Sequence, residues 1–169
     1  MDTSPKREPR LERKFPKLRN GGYSTESPRD PKYNCVALAV GDFNNFWQYM
    51  GRGRTRGYYW PPDVKDDSLE SWIEVFRLHG YELCGNGDFE PGVEKVAIYV
   101  DSEGFTTHVA KQDIVIGKWA SKLGKKGHDI VHDSLELLAG EEGDEYGDVK
   151  VFMKREFKGR RFPYEQAKP

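Results

Sequence analysis

Cys35 is the residue of this chain most suited to covalent chemistry, because it follows Asn34 at the start of a predicted helix. Asn is a preferred N-cap residue, and apolar residues then recur with helical spacing, which predicts a helix over residues 34–50. A thiol in the first turn lies near free backbone N–H groups and the positive end of the helix dipole, which favour the thiolate. The alternative is a small, buried and inert cysteine. The apolar stripe consists of Val36, Val40, Phe43 and Trp47.

A thiolate nucleophile needs a neighbouring base, and His108 is the candidate. It lies in "FTTHVAKQ" (105–112), which has the pattern of a strand. Alternation along this strand places Thr106, Ala110 and Gln112 on the same face as His108, leaving space around the imidazole for a substrate. A lone histidine in a strand is also commonly structural, so an idle Cys-His pair is the competing interpretation.

The next predicted strand, "GKWASKL" (117–123), supplies a candidate third residue. If residues 113–116 form the connection, Ser121 lies opposite His108, and directly opposed side chains are close enough to hydrogen-bond. Ser121 would then orient the imidazole as the third member of a triad does. A shift of one residue in the turn would replace it with Ala120 or Lys122.

Several residues are candidates for binding the substrate or stabilising an oxyanion. The backbone N–H of Cys35 and the side-chain amides of Asn34 and Gln112 are possible donors. Tyr59 and Trp60 belong to "RGRTRGYYWPP" (52–62), and aromatic residues commonly line concave sites. The same stretch could instead cover the core or, with its three arginines, stack on bases.

The remaining elements predict an α+β protein, in which an N-terminal helix bearing Cys35 packs on a largely antiparallel sheet. A second helix begins at Asp67 and stops at Gly80, and a short one spans 133–140 with Asp133 as its cap. Alternating patterns predict strands at 81–84, 94–101, 105–112, 117–123, 128–132 and 148–156.

Charge and apolar content divide the chain into three parts. Residues 1–31 contain five apolar side chains and five prolines, which predicts an irregular basic arm. Residues 32–155 form the folded domain, and 156–169 form a basic tail. Residues 1–32 and 154–169 each carry a net charge of +4, so the remainder carries −9. We expect the arms to be solvated or docked on the acidic body, with nucleic-acid binding as the alternative.

Composition disfavours several other classes. No apolar run approaches the ~18 residues of a membrane span, and no apolar signal segment follows Met1. Two cysteines, Cys35 and Cys84, make no disulfide framework, which predicts a cytoplasmic protein. His128 and His132 could bind zinc if they shared a helix face, but in the predicted strand they lie ~13 Å apart. We therefore expect neither a metal nor a cofactor.

Three stretches carry a family resemblance: "YNCVALAVGD", "EKVAIYVDSEGFTTHVAKQ" and "GKWASKLGKKGHDIVH". Over residues 33–155 the chain resembles small, mostly uncharacterised bacterial proteins of the papain-like cysteine-hydrolase superfamily, and is most similar to NlpC-type cell-wall peptidases and amidases. The resemblance implies Cys35 as nucleophile, His108 as base and Ser121 as the orienting residue. The chain has Asn-Cys-Val-Ala where those enzymes have an Asp-Cys-Ser-Gly-like turn.

The sequence thus predicts a thiol-dependent hydrolase or acyl-transferase that acts on an amide or ester bond. The alternative is a catalytically idle papain-like fold that serves as a protein- or nucleic-acid-binding module. The expected partner is an amide- or ester-containing substrate or another protein, and no membrane.

Overall fold

The fold is a mixed α+β arrangement dominated by one antiparallel sheet, as the sequence predicts. The computed structural model describes residues 5–27, 30–51, 58–123 and 127–159. In these ranges the strands are β1 Tyr23–Thr25, β2 Glu82–Cys84, β3 Val93–Val100, β4 Thr106–Gln112, β5 Trp119–Lys122, β6 Asp129–His132 and β7 Asp148–Glu156. They form one seven-stranded sheet in the order β1-β6-β5-β4-β3-β7-β2. The α-helices are α1 Pro9–Lys14, α2 Cys35–Val40 and α3 Leu69–Leu78.

Helix α2 carries Cys35 as its first residue and is much shorter than predicted. Asn34 caps it as expected, with its side chain accepting a hydrogen bond from the Ala37 N–H. Gly41 ends it by adopting a left-handed conformation with φ of 90°, which a residue with a Cβ rarely adopts. The predicted continuation to residue 50 is therefore wrong. Phe43 and Trp47 still pack into the core with α2, but from the loop that follows it.

The two faces of the sheet have separate hydrophobic cores. One face contacts α2 and α3 through β-sheet residues such as Val96, Ile98 and Val109. The other face is covered by the N-terminal segment, and its core includes Tyr99 and Ala110.

The prediction of an irregular N-terminal arm is wrong for residues 9–25. This segment forms α1, a 3₁₀ helix over Pro16–Asn20 and β1, which pairs with β6. Its few large apolar residues suffice because each is buried against a sheet face that the rest of the chain provides. These residues are Leu11, Phe15, Leu18 and Tyr23. Residues 160–169 of the predicted C-terminal tail lie outside the described residues.

The predicted register between β4 and β5 is wrong by two residues. The observed pairs are Lys111 with Ala120 and Gln112 with Trp119. The connection between the strands spans residues 113–118 rather than 113–116, and the Asp113 N–H bonds the Lys118 carbonyl within it at 2.8 Å. Continuing this register places Ser121 opposite Ala110 rather than opposite His108.

An irregularity in the β3–β4 ladder changes the predicted strand face. Tyr99 pairs with His108, but its neighbour Val100 pairs with Thr106, so Thr107 is an extra residue. Because Tyr99 and Val100 point to opposite faces, Thr106 and His108 do as well. The other face-sharing residues, Ala110 and Gln112, remain with His108.

The other helices begin one residue later than predicted and with a different cap. Ser68 rather than Asp67 caps α3, and Ser134 rather than Asp133 caps the segment after β6. That second segment is a single 3₁₀ turn, Leu135–Leu138, rather than an α-helix.

The C-terminal end of α2 is buried, and side chains from elsewhere satisfy its carbonyl groups. A helix end in the protein interior needs such partners, because its last carbonyls have none within the helix. The carbonyl of each of the last three residues of α2 accepts a hydrogen bond from a side chain. Lys111 Nζ donates to Leu38 O (3.3 Å), Tyr81 OH to Ala39 O (2.7 Å) and Arg155 Nη2 to Val40 O (3.3 Å).

Glu94 compensates the two cations at this helix end. Its carboxylate bonds Arg155 Nε and lies 3.6 Å from Lys111 Nζ. All three residues are buried. Burial, the largest effect, lowers the pKa of Lys111 to about 8, although Glu94 opposes the shift. Removing Glu94 would leave two buried cations without this anion, which is costly in the interior.

We predict that Tyr81→Phe lowers the free energy of unfolding by about 1–3 kcal/mol, because the buried Ala39 carbonyl loses its donor. Tyr59→Phe, at an exposed tyrosine, is the matched control and is expected to change it by less than about 0.5 kcal/mol. Urea unfolding followed by circular dichroism measures both. Equal stability of the two variants would contradict the capping role of Tyr81.

Candidate active site

A cavity of about 340 Å³ lies where the N-terminus of α2 meets the loop after α2 and the start of β4. Cys35 and His108 both belong to its wall, together with Lys122 and Tyr146. The structure therefore brings the predicted nucleophile and the predicted base to one cavity. Aromatic residues form much of the remaining wall, and Trp60 is among them, as the sequence suggested.

Asn34 fastens the loop after α2 to the start of the helix. Its Oδ1 accepts from the N–H groups of Ala37 (3.2 Å) and Trp47 (3.1 Å), and its Nδ2 donates to the Trp47 carbonyl (2.6 Å). Both ends of the amide are thus used in holding the polypeptide around Cys35. This role is structural, and the oxyanion donor that the sequence suggested stays a prediction, since Nδ2 carries a second proton.

Cys35 is partly buried, and its surroundings favour the neutral thiol. Burial raises its pKa to about 11, and the N–H groups of Val109, Val36 and Cys35 itself offset only part of that effect. The ammonium of Lys122 also favours the thiolate, to a smaller extent. This raised pKa differs from the low thiol pKa that the helix N-terminus led us to expect. Desolvation of the thiolate outweighs the free N–H groups of a six-residue helix.

His108 is neutral as well and is almost completely buried. Its ring stacks on Tyr146 with a centroid separation of 4.2 Å and an interplanar angle of 8°. Burial, and to a smaller extent the nearby His132, lowers the pKa of His108 well below its usual value. Among the described residues nothing hydrogen-bonds its Nε2 atom. A buried imidazole nitrogen without a partner, at a cavity that also contains a thiol, is the notable feature of this site.

Cys35 and His108 reach the cavity from different layers. Cys35 packs with the α2 core, whereas His108 shares a sheet face with Ala110 and Tyr99, on the side of the N-terminal segment. The β4–β5 ladder pairs only Lys111 and Gln112 of β4, so it stops short of Val109. The N–H of Val109 is consequently available to the sulfur of Cys35.

Ser121 does not contact His108. Its Oγ lies 2.8 Å from Nε2 of His132, whose Nδ1 lies 3.0 Å from the Ser134 carbonyl. Because a carbonyl can only accept, Nδ1 of His132 carries the proton and Nε2 accepts from the serine hydroxyl. Ser121 therefore orients His132, a residue that the sequence had offered only as a metal ligand. The two-residue error in the β4–β5 register explains the difference.

The other predicted binding residues lie elsewhere. Gln112 Nε2 donates to the Gly87 carbonyl at 2.7 Å, and Gln112 is not part of the cavity wall. Tyr59 is exposed, with its ring packed on Trp47 at 4.5 Å between centroids, and it also lies outside that wall. The arginines of the stretch before it, at 52–57, fall outside the described residues.

Lys122 was considered from the sequence only as an alternative to Ser121, and it is fully buried. Its Nζ donates to Gly127 O at 2.7 Å and lies 5.2 Å from the Tyr33 ring centroid. Burial lowers the pKa of Lys122, while Asp129 opposes that shift. The alternation of β5 places Lys122 on the same face as Val109. No local pattern in the sequence indicates that this lysine is buried.

The polar residues around β6 form no metal site in the described part of the chain, where no group of three metal-binding side chains occurs. His128 instead bonds the Ser27 carbonyl through Nδ1 at 2.8 Å. Among the same residues, none of the helices is long and apolar enough to cross a bilayer.

The fold and the site define a small α+β protein with a thiol and an imidazole at one cavity. A family model described as "Domain of unknown function (DUF7689)" matches residues 24–154, so the chain belongs to this family. The chromosomal replication initiator protein DnaA of Thermosipho melanesiensis is 26% identical over 118 residues, which cover 68% of this chain and 26% of that protein. The chain thus spans about a quarter of the length of this curated relative. No solved structure matches it. The relationship to papain-like hydrolases stays a prediction from the sequence.

We predict that Cys35 reacts with iodoacetamide at pH 7 about 10²-fold more slowly than a free cysteine does. The thiolate is the reactive form, and the pKa of the Cys35 thiol is raised to about 11. The rate should still be rising at pH 10. The measurement uses a Cys84→Ser background, so that one thiol remains, with N-acetylcysteine amide as the reference in the same buffers. A plateau below pH 8 would show a thiolate–imidazolium pair instead.

We predict that His132→Gln flattens the loss of stability in acid. Burial lowers the pKa of His132 to about 4, so between pH 6.5 and 4 the unfolded chain binds a proton that the native protein does not. The contribution of neutral His132 to the free energy of unfolding is complete above pH 6.5. It falls by roughly 3 kcal/mol as the pH approaches 4.

Urea unfolding of wild type and His132→Gln at several pH values measures this difference. His108 changes the stability with pH in the same direction as His132. Asp129, whose pKa burial raises to about 6, changes it in the opposite direction. Both residues are present in the two proteins, so their effects cancel in the comparison. Parallel pH profiles would show that His132 is not kept neutral by the fold.

Proposed function

We propose that this protein is a thiol-dependent hydrolase or acyl-transferase that acts on an amide or ester bond, with Cys35 as nucleophile and His108 as base. The observations that support the proposal are that Cys35 and His108 belong to the wall of one cavity, and that the Nε2 atom of His108 is buried without a hydrogen-bond partner. A helix that begins with cysteine and packs on an antiparallel sheet agrees with the papain-like resemblance.

The charge state of the pair decides the order of events. Both groups are neutral at pH 7, so the proton leaves the sulfur during attack on the carbonyl carbon rather than before substrate binds. His108 accepts this proton as the tetrahedral intermediate forms and returns it to the leaving amine or alcohol, which produces a thioester. Water, or a second acceptor, then releases the acyl group from Cys35.

The surrounding groups have supporting roles in this scheme. The backbone N–H of Cys35 is the proposed oxyanion donor, since it lies beside the attacking sulfur. The ammonium of Lys122 stabilises negative charge on the sulfur. Tyr146 holds the His108 ring by stacking, and Ser121 acts one step further away by holding His132.

The second candidate function is a binding module in which the pair is idle. The raised thiol pKa favours it, because a neutral and poorly solvated cysteine is what an inert structural residue requires. The two candidates differ in whether a substrate-like acyl group is transferred to Cys35.

We predict that a p-nitrophenyl ester of an N-acetylated amino acid acylates Cys35 at pH 7.5, and that His108→Asn slows this step by about 10²–10⁴-fold through loss of the base. Stopped-flow release of nitrophenol gives the rate, and mass spectrometry locates the added acyl group. Hydroxylamine should remove it, since the product is a thioester.

Cys84→Ala is the matched control for the nucleophile and His128→Asn for the imidazole, because neither residue belongs to the cavity wall. Cys84→Ala should acylate at the wild-type rate and Cys35→Ala not at all. Equal acylation of both cysteines, or an unchanged rate in His108→Asn, would leave the idle binding module as the better account.

A further inference from the structure

Tyr146 differs from other tyrosines of the core in that the protein does not use its hydroxyl. No described residue hydrogen-bonds this hydroxyl. The hydroxyl oxygen is not one of the buried, unpartnered atoms of the described chain either, so it has accessible surface. In contrast, four core tyrosines each donate to a protein oxygen at 2.5–2.7 Å, namely Tyr23, Tyr33, Tyr81 and Tyr99. Tyr146 thus has a donor that a ligand can reach.

This donor lies at the cavity that contains Cys35. Tyr146 is half-buried and belongs to the cavity wall. Burial is the largest cause of the raised pKa of Tyr146, and negative charge on Cys35 is the next. Because such an effect weakens with distance, it places the hydroxyl near the sulfur. The raised pKa also keeps the phenol protonated at neutral pH, so that it can donate.

Packing fixes the ring that carries this hydroxyl. The ring stacks on His108 at 4.2 Å between centroids and packs on Phe15 at 5.1 Å. The backbone is held as well, since the Tyr146 N–H donates to the Leu138 carbonyl (3.0 Å) and its own carbonyl accepts from Thr107 Oγ1 (2.6 Å). In parallel rings the polar groups point along the ring planes, so the hydroxyl and the imidazole do not occupy one another. A donor held in this way needs no reorganisation when a charge develops beside it.

We infer that Tyr146 is a further catalytic residue, whose hydroxyl donates a hydrogen bond to the carbonyl oxygen of the substrate and to the oxyanion formed from it. The inference rests on the proposed function and adds a second oxyanion donor to the backbone N–H of Cys35.

The hydroxyl of Tyr146 keeps its own proton throughout the reaction. Attack forms the bond between Cys35 Sγ and the carbonyl carbon, moves an electron pair of the C=O bond to oxygen and transfers the thiol proton to His108. The oxyanion then accepts from Tyr146. When the electron pair returns to the C–O bond, the bond to the leaving group breaks and His108 returns the proton to that group.

The test compares wild type with Tyr146→Phe, which keeps the stacked ring and removes only the donor, both in a Cys84→Ser background. Acylation of Cys35 by the p-nitrophenyl ester of N-acetylphenylalanine passes through an oxyanion, whereas alkylation by iodoacetamide displaces iodide at a saturated carbon and does not. We expect acylation to slow by about 10²-fold and alkylation to change by less than about twofold. A role limited to packing would affect both reactions alike.

Urea unfolding of the same proteins adds a second measurement. Because the Tyr146 hydroxyl has no partner among the described residues, Tyr146→Phe should keep the wild-type urea midpoint, unlike Tyr81→Phe. Tyr59→Phe is the matched control for acylation, since this exposed tyrosine lies outside the cavity wall. It should acylate at the wild-type rate.

An unchanged acylation rate in Tyr146→Phe, an equal slowing of acylation and alkylation, or a lower urea midpoint would each overturn the inference. Failure of the two proposals is distinguishable. A wild-type protein that is not acylated at Cys35 would remove the hydrolase together with this role, whereas Tyr146→Phe that is acylated as fast as wild type would remove only the role of Tyr146.

Discussion

The structure depends on satisfying the buried C-terminal end of helix α2. Six residues give too few internal hydrogen bonds for a stable isolated helix, so contacts with the rest of the chain must hold it in place. Lys111 of β4, Arg155 of β7 and Tyr81 before β2 each donate to one of its last carbonyls, and Glu94 of β3 pairs with both cations. These partners come from distant parts of the chain, so the sheet must be assembled for the helix to exist. Cys35, at the other end of the same short helix, is positioned as a result.

The burial that stabilises this arrangement also sets the chemistry of the site. A thiol and an imidazole surrounded by protein both favour their neutral forms, so Cys35 and His108 do not form an ion pair in the resting protein. An idle pair and a pair that reacts only when a carbonyl is present share this resting state.

The N-terminal segment has a less expected part in building the site. By covering the second sheet face and adding β1 beside β6, it encloses His132 and the face from which His108 projects. Burial under this layer favours the neutral forms of both imidazoles. A segment that is polar and rich in proline thus contributes to the electrostatics of a cavity formed largely by other elements.

The sequence by itself determined the fold class, most strand positions, the Asn34 cap and the residues with reactive chemistry, because these follow from local patterns of two and 3.6 residues and from single side chains. Tertiary structure decided the rest. The end of α2 at Gly41, the longer turn after Gln112 and the extra residue at Thr107 depend on backbone hydrogen bonds between neighbouring strands and loops, which local periodicity does not encode. The partner of Ser121 changed with that turn, since register decides which side chains meet. The pKa of Cys35 depended on how completely both layers closed around it, and desolvation is a property of the assembled protein rather than of any stretch of its sequence.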